Sequence, residues 1–174
     1  GSEHILTVTY RHKGVVGNTF DIRFNYQDGE KTPAGVGHTI VAMASGATNP
    51  ILATAIAALG DTWFHVWAFP WTDATSLTAI ETELSSRNDP LRMIDGIAIT
   101  SADDTHANLG TLGDGRNSQH ICIMAQAGEN PLTPVNEFAG AVAAVVAFYG
   151  NIDPARPFQT LRLKGVVAPR ENDL

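Results

Sequence analysis

From residue 39 onward the sequence alternates short apolar runs with longer runs of helical period, and that alternation leaves few architectures open. The apolar runs are "TIVAMA", "WFHVWAF", "MIDGIAIT", "HICIMAQ" and "TLRLKGVV". Between them lie segments whose apolar residues recur every three or four positions. Strands separated by helices at this spacing are the signature of βαβ units. The expected fold is α/β: a largely parallel, mixed sheet built from βαβ units with helices on both faces.

Capping signals sharpen the helices. "TNPILATAIAALG" places Asn49 as N-cap, Pro50 at the first helical position and Gly60 just past the end. Ile51, Leu52, Ala55, Ile56 and Leu59 then share one face. Asp73 starts a second helix with Leu77, Ile80 and Leu84 inward and Glu81 and Glu83 on the wet side. Residues 101–112 read as a short helix stopped by Gly113, with Asp103 and Asp104 complementing its dipole. Thr133 and Pro134 repeat the cap-plus-proline start for a helix that is apolar around its whole circumference over 138–149. That stretch is too short to span a bilayer, so it should be buried or pack on a partner. "WFHVWAF" has His65 as its one polar residue, which predicts a strand covered on both faces and a core histidine.

Ahead of this series, "HILTVTY" and "TFDIRFNY" flank a turn containing Gly14, Gly17 and Asn18. They predict an antiparallel β-hairpin over residues 3–27, followed by a polar loop over 28–38. The βα series would occupy 39–167 of a single domain. Gly1-Ser2 read as a cloning remnant, and residues 168–174 as the start of a connection to a further domain. In the segment before it, Asp153-Pro154 and Arg156-Pro157 stop the preceding helix. Residues 160–167 form a last strand with Leu161 and Leu163 on one face and Arg162 and Lys164 on the other. Arg156 is expected to brace the turn, through Asp153, in preference to binding an anion.

Charge narrows the partners. Eighteen acidic against eleven basic residues give a net charge of -7, with no basic cluster, so nucleic acid is a poor partner. No membrane is expected either. Cys122, the single cysteine, sits inside an apolar run and reads as a small core residue.

The search for chemistry ends without a site. The loop "ASGATN" lacks the glycine pattern and the lysine of a phosphate cradle, and reads as a plain turn. Asp95, His106 and Ser118 occur in the order of a hydrolase triad, but Ser118 leads into a strand and not onto a sharp elbow. The six histidines show no metal-ligand spacing. Asp73 with Glu81 or Glu83 could be an acid/base pair only if desolvated, and a surface helix does not desolvate them. No catalytic, cofactor-binding or metal-binding residue is assigned, no cofactor is expected, and the chain is not expected to be an enzyme.

Six segments taken in order, "YRHKGVVGNTFDIRFNY", "SGATNP", "ALGDTWFHVWAFPWTDATSLTAIETEL", "RMIDGIA", "GDGRNSQHI" and "DPARPFQTLRLKGVVAP", resemble the tail sheath proteins of Mu-like contractile-tailed bacteriophages and related prophages. The resemblance covers nearly the whole chain. It implies a structural subunit of the virion, made in the host cytoplasm, whose central domain is subtilisin-like but not known for catalysis. In such sheaths, hexameric rings stack around the tail tube and contract when the baseplate triggers them. The implied partners are therefore other sheath subunits, the tail tube protein and the baseplate, with the fragment alone expected to be monomeric. The alternatives are an α/β hydrolase or nucleotide-binding enzyme, and a decoration or adhesin module of another large particle.

Overall fold

In the computed structural model the residues described are 4–11, 14–20, 22, 24, 31–127 and 132–167. The chain divides into two units, residues 1–50 and 51–174.

The second unit is built on a three-stranded parallel sheet of β1 (Val66–Ala68), β2 (Ile97–Asp104) and β3 (Ile121–Ala127), in the order β1-β2-β3. Four helices accompany it: α1 (Ala53–Leu59), α2 (Ala74–Asn88), α3 (His106–Asp114) and α4 (Val135–Ile152). Side chains alternate across a strand, so β2 and β3 feed two cores. Ala98, Ile121 and Ile123 pack with Leu77, Ile80 and Leu84 of α2, with Leu52 and Ile56 near α1, and with Leu112 of α3. On the opposite face Ile99, Cys122 and Met124 meet Phe138, Val142, Ala143 and Val146 of α4. The predicted parallel α/β sheet with helices on both faces is present, and its order places β2 in the middle.

Helix α2 follows its sequence signals closely. The Asp73 carboxylate accepts the Ser76 N–H at 3.0 Å, and Leu77, Ile80 and Leu84 fall on the buried stripe. Pro90 holds Asp89 extended at ψ 150° and ends the helix at Asn88. Glu83 departs from expectation. It lies against Arg87, which is 1% exposed and packed beneath the helix. The Arg87 guanidinium donates to Glu83 Oε1 at 2.7 Å, to the Thr62 carbonyl at 2.8 Å and to the Gly60 carbonyl, and stacks 4.9 Å from the Trp67 ring centroid.

Helix α4 is only partly covered. Val135, Ala139, Val142 and Ala143 form the stripe on the sheet, whereas Ala144, Ala147, Phe148 and Ile152 lie in water. At eighteen residues it is longer than the sequence implied and is long and apolar enough to cross a membrane by length and composition. Its inner stripe nevertheless rests on β1 and β2. The sequence left two options, burial or packing on a partner, and among the described residues only one stripe of the helix is buried.

Several boundaries move, each for a local reason. Helix α1 begins at Ala53, three residues late, because the Asn49 side chain is engaged with the Val15 N–H and leaves Leu52 at the cap without a side-chain bond. Gly60 does end it, at φ 51°. "WFHVWAF" yields a three-residue edge strand, and Trp63, Phe64 and His65 are exposed, so His65 is not a core histidine. Residues 101–104, expected in a helix, continue β2 because they pair in register with Met124 to Ala127 of β3. Ladder bonds there outweigh the turn preference of Ser and Asp.

No strand forms over 160–167. Its burial still alternates as predicted, with Leu161 and Leu163 half-buried and Arg162 and Lys164 exposed. Thr133, expected as a helix cap, ties this segment down: its hydroxyl accepts the Val167 N–H at 2.9 Å, while the Pro134 carbonyl takes the first helical bond from Phe138. Replacing Thr133 with valine should lower the local stability of this tether by about 1 kcal/mol. Hydrogen exchange should then show roughly fivefold less protection at the Val167 amide, with the α2 amides unchanged.

In the first unit the described residues carry a short 3-10 turn (Val15–Thr19) and no strand. Among the described residues the "TIVAMA" stretch forms no strand, and no paired strand of the expected hairpin is seen. Part of the second hairpin arm, residues 21, 23 and 25–27, lies outside the described residues. Residues 4–10 are not assigned to a strand, and Ile5 and Leu6 are exposed. Asn18 organises this unit, its carboxamide bonding both the N–H and the carbonyl of Gly46 at 2.8 and 3.0 Å.

Candidate functional site

In a parallel sheet the carboxyl ends of the strands are the customary place for a ligand. Here the end of β2 runs into α3, and the chain's own groups occupy the helix start. The Asp104 carboxylate accepts the Thr105 N–H at 2.7 Å and the Asn108 side-chain N–H at 2.8 Å, and the Thr105 hydroxyl accepts the Asn108 N–H. Thr105 is therefore the cap, and Asp104, expected to sit in the helix start, ends β2 and supports the cap from one residue before it. Asp103 differs, being half-buried at the strand end.

The neighbouring carboxylates titrate in opposite directions. Burial raises the Asp103 pKa and the nearby Asp104 charge adds to this, against a backbone hydrogen bond that lowers it. Hydrogen bonds from Asn108 and Thr105 lower that of Asp104. A carboxylate with a raised folded pKa favours the fold below its unfolded value and loses that contribution as pH rises through the folded pKa. A depressed one works the other way, losing its contribution as pH falls through the folded pKa. Asp103→Asn should therefore raise the melting temperature at pH 7, with the gain gone at pH 3. Asp104→Asn should lower it at pH 7 and converge with wild type in acid. Thermal melts at the two pH values, with carboxyl-carbon NMR titration to assign each group, would check both signs.

Further inside, Gln126 donates to the Ser101 hydroxyl at 3.3 Å, and the Thr100 hydroxyl reaches the Trp71 carbonyl at 3.5 Å. These buried polar residues bond to each other and to the backbone. Ser101 was not expected in this pair, because residues 101–104 read as helix.

The residues raised as a triad are kept apart by the topology. Asp95 precedes β2 and Ser118 precedes β3, so both lie at the amino ends of the strands, whereas His106 opens α3 beyond the carboxyl end of β2. Eight residues of strand separate the two ends, roughly 25 Å. Ser118 instead accepts the His120 N–H, and the Asp95 carbonyl accepts from the Trp63 indole.

In the "ASGATN" loop the Gly46 N–H is donated to the Asn18 side chain. Asp73 caps α2, Glu81 pairs with Arg116 at 3.5 Å, and Glu83 is shared by Arg87 and Arg92. Among the described residues no cluster of three His, Cys, Asp or Glu could hold a metal. Burial pushes the Cys122 thiol up, as befits a core residue. The Arg156 guanidinium stacks 4.5 Å over Tyr149, and the turn it was expected to brace is held by Asp153, whose carboxylate accepts the Ala155 N–H.

An open groove of about 860 Å³ separates α1 from α2, lined chiefly by Ala53, Ile56, Ala57, Ala74, Thr78 and Ala79. Glu83 at its edge is already paired. The groove is therefore an apolar surface without titrating groups free to act.

What these features define is an α/β domain whose polar side chains hold its own backbone and whose distinctive surfaces are apolar. Residues 45–173 match the phage tail sheath protein central domain, so the chain belongs to the phage tail sheath family, structural proteins of the phage tail. Over 156 residues, 90% of the chain, it is 41% identical to the Mu-like prophage FluMu tail sheath protein of Haemophilus influenzae. The matched region spans 32% of that relative's length.

Proposed function

We propose that the chain is the central domain of a structural subunit in a contractile phage tail sheath. In this reading, complete subunits assemble as stacked hexameric rings around a tail tube. Contraction then drives the tube and the DNA behind it into the host. The observation that carries the proposal is the match to the sheath central domain across residues 45–173, joined to 41% identity with a Mu-like sheath protein. The tube protein and the baseplate are the further partners it implies, with synthesis in the host cytoplasm. The hydrolase alternative finds no support in a triad whose members lie at opposite ends of β2.

Electron microscopy of the complete gene product tests the proposal. Tubes or stacked rings are expected, in extended or contracted form. A subunit that stays monomeric at high concentration in every salt would refute it.

A further inference from the structure

The amino ends of β1 and β2 carry an apolar protrusion that folding does not account for. The loops leading into them, 60–65 and 89–96, are tied together by Arg92 to Asp61 at 3.0 Å and by the Trp63 indole to the Asp95 carbonyl at 2.8 Å. Within the second loop the N–H groups of Arg92 and Met93 both donate to the Asp89 carbonyl, and Ile94 N–H donates to Arg87. These bonds close the turn on its own backbone. On it Leu91 is 98% exposed and Met93 71% exposed, beside the half-exposed Trp63 and Phe64. Met93 also holds φ 48°, a left-handed value rare for a residue with a side chain. Backbone strain of this kind persists where the surroundings over-determine it, and it gathers at functional sites.

We propose that this protrusion is a contact with a second copy of the chain, in which Leu91 and Met93 of one subunit enter the α1–α2 groove of another. The inference rests on the sheath reading and adds the surface to it. Three observations favour a copy of the chain as the occupant. A coat built by repeating one protein must carry both halves of each contact on one chain, and here a convex apolar tip and a concave apolar groove occur together. Leu91 and Met93 are 98% and 71% exposed, so seating them in an apolar groove withdraws most of two large apolar side chains from water. Finally, Arg92 is already satisfied by Asp61 and Glu83, so the tip can dock without burying an unpaired cation.

The test uses the complete sheath subunit. Leu91→Asp with Met93→Asp should raise the concentration needed for assembly by about 100-fold while leaving the melting temperature unchanged; Leu91→Ser serves as a milder second variant. Mixing a Leu91→Cys subunit with an Ala57→Cys subunit under oxidation should give a crosslinked product containing one of each. A double variant that assembles at the wild-type concentration, or a mixture without the mixed crosslink, overturns the inference and leaves the sheath reading standing. A wild-type subunit that never assembles removes the sheath reading and this inference with it.

Discussion

Replacing Arg87 with alanine should cost the second unit about 3–5 kcal/mol of unfolding free energy, the range seen when one member of a buried charged network is removed. The guanidinium is satisfied on three sides by Glu83, Thr62 and Gly60 and covered by Trp67. Truncation removes the donor at the Thr62 carbonyl, leaves the Gly60 carbonyl only the longer 3.4 Å bond from Arg92, and leaves Glu83 only the partly exposed Arg92 as its charged partner. Lysine in place of Arg87 would restore charge but not the fork that reaches all three acceptors, so Arg87→Lys should recover less than half of the loss. Urea titration of both variants measures this directly. A loss under 1 kcal/mol for Arg87→Ala would show that water or Arg92 can replace the side chain.

Leu84→Ala should be nearly as severe, at roughly 2–5 kcal/mol. Leu84 is 0% exposed and sits in the core that α2 shares with Ala98 of β2. The same substitution at Leu91 is the natural control. That side chain is almost fully in water, and its removal should change stability by less than about 0.5 kcal/mol. Equal losses at the two positions would mean that the loop carrying Leu91 is packed in solution.

What could be read from the sequence was whatever local chemistry decides. Asp73 with Leu77, Ile80 and Leu84 combines a cap with an unbroken helical period, and that helix forms as written. Gly60 and the Asp153-Pro154 pair stop helices for reasons internal to the chain. What could not be read depended on partners distant in sequence. Thr133 looks like a cap and serves instead as an anchor for Val167, thirty-four residues on. Asn49 looks like a cap and is taken by Val15. Residues 101–104 look like a helix start until β3 is laid beside them. Edge and centre are also invisible locally: "WFHVWAF" is the most apolar strand candidate, yet among the described residues it has a neighbour on one side only.

The same limit applied to the site. The order Asp95, His106, Ser118 was legible, but the separate locations that the topology gives these residues were not. The Leu91 and Met93 protrusion gave no signal, because isolated apolar residues in a charged loop look like ordinary background. Only the fixed geometry of Arg92 and the exposure of its neighbours set them apart.

The buried arginine has a mechanical consequence. Arg87 is the hub of a strut: a force applied at the 89–96 loop passes through Arg92 to Glu83, from Glu83 to Arg87, and on to the backbone at Gly60 and Thr62. Each step is a short, charge-assisted link anchored in a packed helix. A load on that corner of the domain would therefore move α2 and the two strand entrances as one body, with little give in the loop itself.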